Sequence, residues 1–233
     1  MYRLYFFLFC AVLCASCSKK YRIEGASSVS MLDGKMLFVK VPAGNKLVSI
    51  DSAEVIHGLF KMKGKVDSAA LALLYMDDNR IMPFVLEQGN ISIQIDNART
   101  QIKGTPLNDC FNDFMMRQNS LDDRTSDVEY EESRMIMDGT YGRSEQDEIA
   151  RKREALLDER NELVKTFIQD NYHNVLGPGV FMLIGGDMPF PFLTPVMEEI
   201  VDGAPDAFKN NPMIKEYVIA ARSNMEKMRA MNN

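Results

Sequence analysis

Residues 99–114, RTQIKGTPLNDCFNDF, contain the point at which the hydrophobic period of this chain changes. Up to Gly104 the apolar residues alternate in short runs closed by turn residues. From Thr105-Pro106 onward no strand signal recurs. Thr105 suits an N-cap, and Pro106 suits the first helical position, where a missing N–H removes no hydrogen bond. The spacing predicts a helix from there to about Asn119, with Leu107, Cys110, Phe111 and Phe114 on one face.

Upstream of that boundary lie YRIEGA, KMLFVKV, KLVSIDSAEVI, LFKMKG, ALALLYM, IMPFVLE, NISIQID and RTQIKG, with turns every 8 to 12 residues. Alternation in Lys35 to Val41 marks strands with one buried face. His57-Gly58 reads as a hairpin turn. Asp77-Asp78-Asn79 lacks the glycine and distal glutamate of a calcium loop, so it too reads as a tight turn. The fold class expected is α+β: an antiparallel β-sandwich of about eight strands over residues 21–105, then an all-helical region over residues 106–233.

Within that helical region, Leu121 to Arg143 is polar and acidic and reads as a broken helix and loop. Ser144, with Asp147 three residues later, opens the strongest helix, to about Asn171. Its apolar stripe is Ile149, Leu156, Leu157, Leu163, Val164, Phe167 and Ile168. Gly177-Pro178-Gly179 starts a short apolar helix, Thr194-Pro195 caps another, and Asn211-Pro212 caps the last, which runs to about Arg229.

The N-terminus has a different character. Arg3 is followed by the uncharged run Leu4 to Leu13 and then by small residues. That is an export signal over residues 1–16, too short to cross a bilayer, which takes ~20 residues. Cys14 and Cys17 have the spacing of a redox pair, but no strand precedes them to open the helix such a pair needs. The box Leu13 to Cys17 resembles a bacterial lipoprotein cleavage site, with Cys17 as the lipid attachment residue and 17–20 as the anchor linker. Several acyl chains on one cysteine hold a protein on a membrane where a single myristoyl does not. By resemblance to known sorting signals, Ser18 points to the outer membrane, facing the periplasm.

Cleavage leaves Cys17 and Cys110, and with Cys17 acylated Cys110 is the free thiol. A packed, apolar cysteine is the reading favoured over a reactive one. A net charge of −6 argues against nucleic acid as a partner. The two histidines, His57 and His173, have no spaced partners, so no metal, cofactor or catalytic residue is assigned. Seventeen methionines read as core filler.

Ile23-Glu24-Gly25, Asp33-Gly34-Lys35, Ile50-Asp51-Ser52-Ala53 with Val55, and Gly58-Leu59-Phe60-Lys61-Met62-Lys63-Gly64 together resemble a known pattern. It is that of the uncharacterised β-rich N-terminal domain of lipid-anchored thioredoxin-like, thiol:disulfide interchange proteins of Gram-negative anaerobes. The resemblance covers residues 21 to 105. It implies an envelope location, an anchor and a two-part architecture. In that family a helical linker and a thioredoxin-like module with a CxxC pair follow; this chain reaches Asn233 with no CxxC after the signal, so the redox activity is not carried over.

Two function classes are expected. The first is a non-catalytic, lipid-anchored envelope protein whose β-sandwich binds a protein partner or a small ligand. The alternative is an accessory component of envelope thiol-redox or peroxide defence working with a separate thioredoxin, with Cys110 as its reactive residue. A truncated paralogue of low activity is a third reading.

Overall fold

The computed structural model describes residues 19–44, 46–186 and 188–231. The signal segment and Cys17 lie outside the described residues.

All eight runs form strands: β1 (Lys20–Ser27), β2 (Met36–Ala43), β3 (Lys46–Glu54), β4 (Leu59–Lys65), β5 (Ala70–Met76), β6 (Asn79–Leu86), β7 (Gly89–Ile95) and β8 (Thr100–Lys103). They build two four-stranded sheets, ordered β4-β1-β7-β8 and β3-β2-β5-β6. Among the described residues every pairing is antiparallel except β1 with β7. Those two strands are separated in the chain by the whole second sheet, which gives a parallel pair the long crossover it requires. Ile23, Leu37, Leu74, Phe84, Ile91 and Ile93 fill the space between the sheets.

Turn chemistry sets the register. His57 and Gly58 both have positive φ (52° and 73°), and Ile56 and Leu59 exchange N–H···O bonds across them. That is the two-residue hairpin whose twist matches its strands. Asp77 at φ 52° makes the β5–β6 turn, so the turn reading of Asp77-Asp78-Asn79 holds.

Six helices follow among the described residues: α1 (Pro106–Met137), α2 (Arg143–Asp170), α3 (Leu176–Gly186), α4 (Pro195–Gly203), α5 (Asp206–Lys209) and α6 (Pro212–Met231). The broken helix and loop expected over Leu121 to Arg143 is instead helix as far as Met137. Its charges are matched by opposite charges on α2. Arg160 pairs with Asp122 at 2.6 Å, Arg124 with Glu159 at 2.8 Å and Lys152 with Glu131 at 2.8 Å, while Arg153 pairs with Glu132. Polar segments without an apolar stripe still form helices when a neighbour carries the opposite charges. Gly177-Pro178-Gly179 lies inside α3 rather than before it.

The helices pack on the outer surface of β5 and β6. Val85 belongs to the helical core and Leu71 packs against it, while Phe84 and Leu86 face the sandwich core. This explains why ALALLYM and IMPFVL are continuous apolar runs whereas KMLFVKV alternates: the former are covered on both faces. The methionine reading is corrected in part. Met62, Met82 and Met197 are core, whereas Met31, Met36, Met116, Met137 and Met231 are exposed. On α1 and α6 an unbranched methionine fits a solvent-facing helix position as readily as a core gap.

Candidate functional site

Helix α1 is fixed to the sandwich by polar side chains. Asn108 is fully buried. Its Oδ1 accepts from the Val85 N–H at 2.8 Å, and its Nδ2 donates to the Val85 carbonyl at 2.7 Å and to Thr105 Oγ1 at 2.8 Å. One turn on, Asn112 Oδ1 accepts from the Ile102 N–H at 3.2 Å. Val85 and Ile102 sit on β6 and β8, the last strands of the two sheets. The two amides therefore stand in for the missing neighbour strand and close both edges on one side of the sandwich. Glu87 Oε1 accepts from the Leu107 and Asn108 N–H groups, doing the capping expected of Thr105, whose hydroxyl accepts from Asn108 instead.

This anchoring rotates the helix and overturns the packed reading of Cys110. With Asn108 and Asn112 turned toward the sandwich and Phe111 into the helical core, Cys110 falls outside the buried face and is exposed. Its thiol is nevertheless pushed above the ordinary value, first by local desolvation and then by the Asp113 carboxylate, against a hydrogen bond with Asn171. Reactive cysteines need the opposite shift. His57 stays in its hairpin turn and His173 follows α2; among the described residues no group of three or more His, Cys, Asp or Glu is placed to hold a metal ion.

The site that forms is a cleft of about 750 Å³ bounded by β6, α1, α2, α3 and the start of α4. Phe114 and Met115 from α1, Val164 from α2 and Leu183 from α3 give it an apolar wall. Pro83 lines it from β6, an edge strand where a missing N–H is tolerated. At the rim Arg160 and Asp122 pair at 2.6 Å. Gln118 lines the cleft as well, while its Oε1 is buried from solvent and has no hydrogen-bond partner among the described residues. Such an acceptor costs about 1–3 kcal/mol unless a donor reaches it. A second cleft, of about 540 Å³, lies on the other side of α3 and shares Arg80 and Leu183 with the first.

The cleft was not assigned from sequence. One signal was present: Leu156 and Leu157 were both placed on the buried stripe of α2, but adjacent helical positions stand about 100° apart. Leu156 is buried, while Leu157 is 56% exposed and lines the cleft. Gln118 carries no such mark.

A family model described as Domain of unknown function (DUF4369) matches residues 21–111. The matched segment holds the sandwich and the first turns of α1, so Asn108 lies within it and Asn112 just beyond it. The CBM25-1 module of the beta/alpha-amylase from Paenibacillus polymyxa, a solution structure, is similar at 16% identity with a TM-score of 0.26, covering 39% of this chain and 95% of that one. A likeness at that score carries no argument here. No curated protein matches.

Proposed function

We propose that this chain is a non-catalytic, lipid-anchored protein of the cell envelope, in which the β-sandwich is the scaffold and the cleft beside β6 binds a small amphipathic ligand. The observation that carries the reading is the apolar-walled cleft, one of whose lining residues, Gln118, holds a buried, unpartnered acceptor that a ligand's donor reaches once the side chain turns. Clefts of this size with few polar groups are the usual form of small-molecule sites. Asp122 and Arg160 neutralise one another at the rim, so the recognised chemistry is an apolar chain carrying an N–H or O–H donor. The location rests on the export signal and Cys17. Its outer-membrane assignment rests on Ser18, and its kinship with the N-terminal part of thioredoxin-like lipoproteins on the motifs of residues 23–64.

The resolved carboxyl shifts are downward and belong to surface or half-buried groups, and on the helices they arise from pairs such as Glu132 with Tyr141 and Arg153, and Glu148 with Lys152. None of these residues lines the cleft. The thiol-redox alternative has one observation in its favour, the exposure of Cys110, and one against it, the upward shift of its thiol.

Calorimetric titration with decanamide tests the cleft. Saturable binding is expected, weakened about tenfold by Leu157→Asp, which places a charge on an already exposed wall position. Gln118→Leu is expected to weaken binding while raising stability by about 1 kcal/mol, because it removes an unpaired acceptor. Binding unaffected by either substitution removes the cleft from the account. For the tether, Cys17→Ala is expected to abolish palmitate labelling and release the protein from membranes; persistent labelling contradicts it.

A further inference from the structure

The outer face of the sheet β4-β1-β7-β8 is basic in a chain whose net charge is −6. On β1 the outward side chains include Lys20, Arg22 and Glu24; on β4 they are Leu59, Lys61, Lys63 and Lys65, and all are exposed. The register sets Lys20 opposite Lys65 and Arg22 opposite Lys63. Like charges directly opposite destabilise a sheet, and here it happens twice in succession. Only the third step is neutralised, where Glu24 meets Lys61 at 3.8 Å and Arg22 at 4.0 Å. Farther across the face come Asn90, Ser92 and Gln94, and then Lys103, with no further carboxylate on the strands. A shallow hollow of about 300 Å³ lies between Arg22, Glu24, Lys61 and Lys63, three bases and one acid.

The repelling pairs sit at the end where the chain enters the sandwich. The Lys19 carbonyl accepts from the Val66 N–H at 2.9 Å, which holds the entry point beside Lys65. Cys17 precedes Lys20 by three residues, at most about 10 Å of extended chain. Taken with the tether proposed above, this confines the Lys20–Lys65 end of the basic face to within about 10 Å of the bilayer.

We propose that the outer face of this sheet lies on the anionic phospholipid headgroups of the membrane that holds the tether. The opposed lysine and arginine pairs then share headgroup phosphates between them, which turns a repulsion in the free protein into an attraction at the surface. Each basic residue near an anionic membrane strengthens binding about fivefold, and the effect fades within a Debye length. The inference rests on the tether for its geometry, but its test uses no lipid anchor.

The test is co-sedimentation of the chain from Ser18 to Asn233, which contains every described residue, with vesicles of phosphatidylcholine alone or with about one-third phosphatidylglycerol. Binding is expected with the anionic vesicles, at low salt, and lost at high salt. Lys63→Glu with Lys65→Glu is expected to weaken it at least tenfold. That variant sets acids opposite Arg22 and Lys20, so its urea midpoint is expected to equal or exceed that of the parent, which separates lost binding from lost folding. Lys209→Glu with Lys215→Glu, on the helices, is the control expected to leave binding unchanged. Equal binding to both vesicle types overturns the proposal, as does undiminished binding of the β4 variant. Tighter retention on a homopolymeric RNA than on the vesicles at the same salt overturns it too, because the face is then a general polyanion surface. Failure here with palmitate labelling intact leaves the tether standing and removes only the orientation.

Discussion

Replacing Asn108 by Ala removes one side chain but strands two main-chain groups. The Val85 N–H, at 2.8 Å from Oδ1, and the Val85 carbonyl, at 2.7 Å from Nδ2, lie in a residue with no exposed surface, so neither gains water when the amide is lost. Each orphaned group costs about 1–3 kcal/mol, which places the total near 3–4 kcal/mol. That is a large part of the about 5–15 kcal/mol by which folded proteins of this kind are stable. Asn112→Ala strands a single N–H, that of Ile102, held at the longer distance of 3.2 Å, and should lose about 1–2 kcal/mol. Asn108→Asp keeps an acceptor for the N–H but loses the donor and buries a charge, so it should lose more than Asn108→Ala. Urea denaturation followed by far-ultraviolet circular dichroism gives the ranking, with the m-value unchanged if the native contact area is retained. A loss under about 1 kcal/mol for Asn108→Ala, or a larger loss for Asn112→Ala, would show that the amides do not close the strand edges.

Three further outcomes are expected. Cys110, although exposed, should react with maleimide more slowly than free cysteine near neutral pH, because desolvation and then Asp113 push its thiol upward; Asp113→Asn should quicken it, and a rate equal to free cysteine contradicts the assigned cause. Acid should loosen the α1–α2 pair. The carboxyl of Glu132 is held below the ordinary 4.5 by the Tyr141 hydroxyl and then by Arg153, and that of Glu148 by Lys152. A depressed folded value stabilises above the unfolded value and is lost as pH falls through the folded one, so the urea midpoint should be level from pH 6 to 8 and fall below about 4.5. A midpoint that rises on acidification contradicts this. Gly25→Ala should destabilise by about 1–3 kcal/mol, since its Cβ would lie 1.9 Å from Cζ of Phe60. Combining it with Phe60→Ala should lose less than the two separate losses added together; simple additivity would mean the ring does not cover Gly25.

The sandwich was legible because its signals are local. Alternation in KMLFVKV, the His57-Gly58 turn and the Thr105-Pro106 boundary each act over a few residues, and each fell where expected. What escaped was set by partners distant in the chain. The acidic run from Leu121 looked unfit for a helix because its complement, Arg153 and Arg160, comes some 20 to 40 residues later. Cys110 looked buried because Leu107, Phe111 and Phe114 outlined a face, while the side chains that fix the rotation, Asn108 and Asn112, are polar and count as surface in any hydrophobic pattern. The cleft depends on five elements meeting, and Gln118, its most informative atom, is unremarkable in the sequence. The parallel pairing of β1 with β7 likewise has no local mark.

The central proposal is a lipid tether at Cys17, and the mass of the N-terminus is the most direct test of it. Protein extracted from membranes with detergent and digested should yield an N-terminal peptide that starts at Cys17 and carries fatty-acyl chains on it. A peptide in which Cys17 is unmodified, or is joined by a disulfide to Cys110, would contradict the account.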